Sequence, residues 1–266
     1  MTDTWRGADY AQHSTLQAAM VDEVLSQLPL RGDEQVLDVG CGDGKLTARI
    51  AALLPRGAVL GVDASADMVA FARQQFSGAA WPNLGFEVAD ARRLNFGPRF
   101  DKVVSFNALH WVPQQAEALR GIRQALQPQG QAHLRLVTRC ELTSLEDVAE
   151  AVRQEPAWAA FFAGFNDPYL RLDAAQYGVL AQSLGLRLLS SHSAMKRWDF
   201  RTEEAFFGFC NAGFGAWTHG LPGARQREFV EAVMQRYLAV IDAAFGERCT
   251  FHFMQTDLVL GRAEAG

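Results

Sequence analysis

The chain has 266 residues, of which 49% are apolar and 21% charged, with a formal net charge of −5 and a pI near 5.7. That length suits one large α/β domain, or one domain with a sizeable insertion. No lysine/arginine block gives the footprint of a nucleic-acid binder. No apolar run reaches the roughly 18 residues of a membrane helix. Cys41, Cys140, Cys210 and Cys249 include no CxxC pair, so neither a disulfide framework nor a zinc site is indicated. The N-terminal MTDTWRGADYAQHS lacks a signal-peptide core, and a soluble cytoplasmic protein is expected.

In chain order, residues 14–28 place Leu16, Met20, Val24 and Leu28 at helical spacing behind a cap-like Ser14. QVLDV (35–39) is a buried strand, and KLTARIAALLP (45–55) a helix stopped by Pro55. AVLGVD (58–63) is the second strand, and the helix of 65–76 begins at a cap-like Ser65. LGFEVAD (84–90) and FDKVVSFN (100–107) are strands three and four. A helix over 112–127 has proline in its first turn, and strand five ends at 138. Strands alternating with helices from about 35 to 138 predict a doubly wound parallel sheet. Beyond it, 141–172 reads as helical and aromatic and 173–184 as a helix. Residues 186–200 read as a strand with polar breaks, 202–245 as mostly helical, and 251–260 as a closing strand. The expected division is a core over 1–138, then a helical cap inserted after strand five plus the closing strands over 139–266.

VLDVGCGDGKLT (36–47) carries glycines at 40, 42 and 44 directly behind the first strand. Ligands of open parallel sheets bind beyond such strand ends. A phosphate loop needs GxxxxGK[ST], yet Leu46 stands where the hydroxyl belongs and Val39 where the first glycine belongs. A dinucleotide loop needs GxGxxG, and Lys45 replaces its last glycine, which weakens that reading.

The string resembles the first motif of class I S-adenosylmethionine (SAM)-dependent methyltransferases, [VI]LD[LVI]GCGxG. Other segments agree in order: Asp63 at the end of AVLGVD, Asp90 in EVADARRL, Asn107 in SFNALHWV, and ALQPQG before strand five, where Gln129 departs from the usual glycine. The resemblance spans about 10–138 and implies a Rossmann-like, seven-stranded, mostly parallel sheet whose last strand is inserted antiparallel. It implies SAM as cofactor, with Asp63 accepting both ribose hydroxyls and Asp90 meeting the adenine amino group. The remaining implied cofactor contacts are Tyr10, Ser14, Asp38, Gly40, Cys41, Gly42, Gly44, Ala64, Met68, Ala91, Asn107 and Leu109.

YAQHSTLQ and NALHWVP further resemble the trans-aconitate and juvenile-hormone-acid methyltransferase group, which methylates carboxylates of small molecules. That likeness implies Gln17 and Trp111, both N–H donors, on the acceptor carboxylate, with His110 beside them. A carboxylate is already ionised at neutral pH and needs no base. No Asp/Glu/His cluster with metal-ligand spacing is seen. Twelve of the eighteen phenylalanines lie in 140–266, which suggests an apolar pocket wall as well as core, and hence a fatty or terpenoid-like acid. Lys196, Arg197 and Arg201 read as a solvated face in preference to a site for further negative charge. The alternatives are a C-, N- or hydroxyl-directed methyltransferase, or a non-catalytic SAM-binding module. The expected partner is a small organic acid, with no nucleic acid and no membrane.

Overall fold

The computed structural model describes residues 15–167 and 169–263, with side chains described from Met20 onward. One sheet contains β1 (Gln35–Val39), β2 (Ala58–Asp63), β3 (Leu84–Val88), β4 (Phe100–Phe106), β5 (Leu126–Thr138), β6 (Leu186–Asp199) and β7 (Thr250–Arg262). Its order is β3-β2-β1-β4-β5-β7-β6. The first five strands run parallel, and β7 is antiparallel to both β5 and β6. This is the doubly wound, mostly parallel sheet that the alternation predicted.

Both faces of β1 are covered, which explains why it reads as a nearly continuous apolar run. Val36 packs with Val59 and Val104 against Ile50 and Leu54, the side of α1 (Thr15–Gln27) and α2 (Lys45–Ala52). Leu37 and Val39 face the opposite layer, with Leu119 and Ile122 of α4 (Gln115–Ala125). Between these two helices in the chain, α3 (Ala66–Gln75) starts at Ser65, whose side chain accepts the Met68 N–H at 3.2 Å.

The second half departs from expectation in its first segment. Among the described residues of 141–172, only α5 (Leu145–Arg153) and a single 3-10 turn (Ala159–Phe162) are helical. The aromatic run there is core filling rather than helix face: the Phe162 ring lies 5.1 Å from Phe229 and 5.4 Å from Phe165. Helices lie on both sides of β6 in the chain. The next helix, α6 (Ala174–Ser183), packs Tyr177 and Ala181 onto the sheet's own core. The larger helical block, α7 (Glu203–Gly213), α8 (Gly215–Thr218) and α9 (Gly223–Phe245), lies between β6 and β7 and shares one apolar cluster with α5. Apolar matching decides this arrangement, because Leu145, Val148 and Val152 bury against Phe229, Val233 and Tyr237.

Candidate active site

The chain leaves adjacent strands β1 and β4 in opposite directions, so a crevice opens at their carboxyl ends. The loop after β1 is tied down by its backbone: Gly40 and Cys41 N–H groups donate to the Val62 carbonyl at 2.7 and 3.0 Å. Two of its glycines have separate physical reasons. At Gly44 (φ 79°) an added Cβ would come 2.7 Å from Cζ of Phe86, so the position is closed by packing. At Gly42 (φ 53°) an added Cβ meets nothing within 4 Å, and this residue lines the cavity. Gly42 therefore leaves bare backbone facing an open space, where a ligand can approach closely.

Asp63, at the end of β2, accepts the Gly42 N–H at 3.0 Å and the Ser65 N–H at 2.9 Å. These two bonds clasp the loop, and Asp63 also lines the cavity. Asp38 sits behind the loop: it is 2% exposed, lies outside the cavity wall and accepts the Thr47 hydroxyl at 2.6 Å. Burial pushes its carboxyl up to about 7 against that hydrogen bond, and the charge of Asp63 adds to the rise. Cys41 and Gly44 also stand off the wall; Cys41 is buried with Val69, Ala72 and Phe86. Asp90 lines the cavity, but its carboxylate is gripped by the Arg92 guanidinium and the Arg92 N–H, which holds it below the usual carboxylate range.

Gly40, Ala64, Met68, Ala91, Asn107 and Leu109 all lie on the wall as expected from the loop. Asn107 takes up a left-handed backbone (φ 56°) at the end of β4. Its amide oxygen accepts from Nε2 of Gln255 on β7 at 3.2 Å. Tyr10 and Ser14 lie outside the described residues. Gln17 lies in α1, with its side chain outside them.

His110 is 3% exposed, and burial lowers its ring to about 3, so it is neutral. Its Nδ1 accepts the Val137 N–H at 3.2 Å, which assigns the ring proton to Nε2. The ring lies 5.8 Å from Trp111 and 5.0 Å from Tyr169, and Trp111 also packs edge-on against Tyr169 at 4.7 Å. His110 and Trp111 both line the cavity, which has a volume of about 790 Å³ and reaches from the glycine loop to the helical cap.

The cap end holds residues that the sequence did not single out: Phe165, Tyr169, Phe209, Phe251, Phe253 and Glu146. Glu146 is 8% exposed, and burial pushes its carboxyl up to about 7. In sequence it looks like an ordinary acid in a helix's first turn, which the helix dipole favours, so no pattern marks it. Among the described residues, no lysine or arginine lines the cavity. Lys196 pairs with Glu23 and Arg197 with Glu247, each at 2.8 Å, and neither reaches the wall; nor does Arg201. Among the described residues there is no cluster of three His, Cys, Asp or Glu side chains fit to hold a metal, and no helix long and apolar enough to cross a membrane.

The sheet order and the glycine-loop crevice define a class I methyltransferase fold, and residues 36–130 match the methyltransferase domain family. That match spans the cofactor half of the sheet, from β1 into β5. Among its relatives, a trans-aconitate 2-methyltransferase of Methylobacterium nodulans is 31% identical over 60% of this chain and 59% of its own length. Another, from Azoarcus sp., is 26% identical over 92% of both chains. The stronger local identity thus spans under two thirds of its relative, while the weaker runs nearly end to end. Phosphoethanolamine N-methyltransferase 2 of Haemonchus contortus, solved with phosphomonomethylethanolamine and S-adenosylhomocysteine, superposes with a TM-score of 0.62. It is 16% identical and covers 99% of this chain and 59% of its own, which is a likeness of fold.

Proposed function

We propose that this chain transfers the methyl group of SAM to a carboxylate on a small apolar acid. The observation that carries the reading is one continuous cavity, joining bare backbone at Gly42 and the Asp63 carboxylate to an apolar cap. SAM supplies an electrophilic sulfonium methyl when bound. Asp63 accepts the vicinal ribose hydroxyls, Asp90 and Ala91 border the adenine, and Asn107 and Leu109 flank the methionine portion. Tyr10 and Ser14 are assigned to close over that portion. Residues 1–138 thus supply the cofactor seat, and 139–266 most of the acceptor wall.

At the acceptor end, His110 offers an N–H from a neutral ring, and Trp111 and Gln17 are assigned as the other donors. Neutral donors orient a carboxylate and keep its charge available for attack, whereas a buried cation would hold that charge in a strong pair. The aromatic wall excludes water from the transfer. The relatives named for trans-aconitate support an acid as acceptor. A tricarboxylate calls for compensating cations, and the described wall supplies none, which favours an acid with one carboxylate and an apolar body.

The test is transfer from methyl-labelled SAM to a panel of carboxylic acids, phenols and amines. The expected product is an ester that releases labelled methanol in base. Transfer only to phenols, alcohols or amines overturns the carboxyl reading, and cofactor-dependent thermal stabilisation without product from any acceptor points to a binding module. Glu146 favours one second reading, transfer to a hydroxyl, because a buried carboxyl near neutrality can take a proton.

A further inference from the structure

Glu146 is a buried acid on the acceptor side of the cavity with no ion pair to any described residue. Its backbone is fixed, because α5 opens with a capping box in which Ser144 and Asp147 satisfy each other's N–H groups at 3.0 Å. Arg171, the cation whose field reaches Glu146, is committed to Asp147 at 2.6 Å and Asp167 at 3.2 Å. The Ser144 hydroxyl and the backbone N–H of Glu146 hydrogen-bond its carboxyl, and the remaining groups that feel its charge are Asp147, Tyr169, Cys210 and Tyr237, none of them a cation. Tyr169 neighbours both ends of the arrangement: it packs on the His110–Trp111 pair and lies within the field of Glu146.

We propose that Glu146 is a specificity-determining residue that reads the far end of the acceptor, admitting a hydroxyl or an apolar terminus and rejecting a second carboxylate. The proposal rests on the carboxyl-acceptor reading and refines its substrate class to monoacids, including hydroxy acids. A hydroxyl at that point donates to the Glu146 oxygen and satisfies a group the protein leaves without a cation. A second carboxylate instead must leave water for a low-dielectric wall that, among the described residues, supplies no cation, and repulsion adds to that cost wherever Glu146 is ionised. Burial already raises the Glu146 carboxyl toward neutrality, in keeping with an environment that disfavours negative charge.

The experiment uses three acids of equal chain length: an alkanoic acid, its ω-hydroxy counterpart and its α,ω-diacid. For each, kcat/KM is measured with the full chain and SAM, and binding is measured calorimetrically with S-adenosylhomocysteine present. The wild type is expected to favour the hydroxy acid over the diacid by ~10-fold or more, the order of discrimination one buried polar contact supplies. In Glu146→Gln the diacid should gain ~10-fold relative to the alkanoic acid while the hydroxy acid holds its place. In Glu146→Leu the hydroxy acid should lose its advantage. Each variant must bind S-adenosylhomocysteine like the wild type, which separates misfolding from selectivity. Unchanged acid ratios in both variants overturn the proposal. So does loss of turnover with every acid at unchanged KM, which would make Glu146 a catalytic group. Failure of the carboxyl reading looks different: the wild type forms no ester from any acid. The binding series, repeated with alkanols lacking and bearing a distal carboxylate, then decides the role of Glu146 by the same ratios.

Discussion

Asp38→Asn tests what holds the glycine loop in place. Asp38 is almost fully buried on β1, and its carboxyl accepts the Thr47 hydroxyl of α2 at 2.6 Å. Its carboxyl rises from 3.8 to about 7 because burial outweighs that hydrogen bond. Between those two values the folded chain holds a proton that the unfolded chain has released. Stability is therefore lost as pH rises through the window, and the whole penalty is in place above about 7. At roughly 1.4 kcal/mol per pH unit, the full gap corresponds to about 4 kcal/mol, of which about 3 kcal/mol develops between about pH 5 and about pH 8.

Asparagine keeps an oxygen for Thr47 and cannot ionise. Urea unfolding of wild type and variant should then show the variant gaining about 3 kcal/mol relative to wild type on going from about pH 5 to about pH 8. Parallel stability curves would refute the burial argument. The same variant should bind SAM within about twofold of wild type, since Asp38 lies behind the loop and off the cavity wall. A tenfold loss would show that Asp38 acts on the cofactor itself.

Asp63→Ala should weaken SAM by about 2–3 kcal/mol in calorimetry, the worth of two charge-assisted hydrogen bonds; an unchanged Kd removes Asp63 from the cofactor seat. Gly44→Ala should destabilise the fold by more than about 1 kcal/mol, because the new methyl meets Phe86 and the backbone is left-handed. Gly42→Ala carries the same left-handed strain without the clash, so it should destabilise less than Gly44→Ala while lowering SAM affinity; equal behaviour of the two variants would contradict their separate assignments. Trp111→Ala should reduce turnover more than SAM affinity, and equal loss of both would count against its acceptor role. Because His110 stays neutral down to about 3, the pH–rate profile of an acid acceptor should carry no limb from it between about pH 5 and about pH 8; a limb abolished by His110→Gln would show otherwise.

The sheet was legible in the sequence because strands and helices alternate from 35 to 138 and because β1, β2 and β4 carry the apolar run that two-sided burial demands. The cofactor end was legible for a related reason. Gly40, Gly42, Asp63 and Asp90 follow consecutive strand ends, and parallel pairing brings consecutive strand ends together. The acceptor end lacks such a rule. Glu146, Tyr169, Phe209 and Phe251 come from a helix, a coil, another helix and a strand, and only tertiary packing unites them. Aromatic richness announced a pocket wall but could not separate Phe206 and Phe229, which fill the core, from Phe165 and Phe209, which also face the cavity. The same limit applies to the helices of 202–245, since helical spacing does not say against which face of the molecule they fold.

The antiparallel insertion of β7 explains how two regions so far apart in sequence come to share one cavity. Thr138, the last residue of β5, pairs with Met254 near the start of β7, while Gln131 pairs with Gly261 near its end. A strand running this way begins at the carboxyl ends of its parallel neighbours, which is the ligand end of the sheet. Its first residues therefore arrive directly from α9 at the site: Phe251 and Phe253 enter the cavity wall. Gln255 donates to the Asn107 side chain at 3.2 Å and to the Leu136 carbonyl at 2.8 Å. Were β7 parallel, α9 would deliver its chain to the opposite edge, and the cap would stand away from the glycine loop. The reversed strand thus links acceptor wall to cofactor seat through sheet hydrogen bonds, and it does so beside Asn107, the residue whose left-handed backbone turns the chain from β4 toward His110 and Trp111.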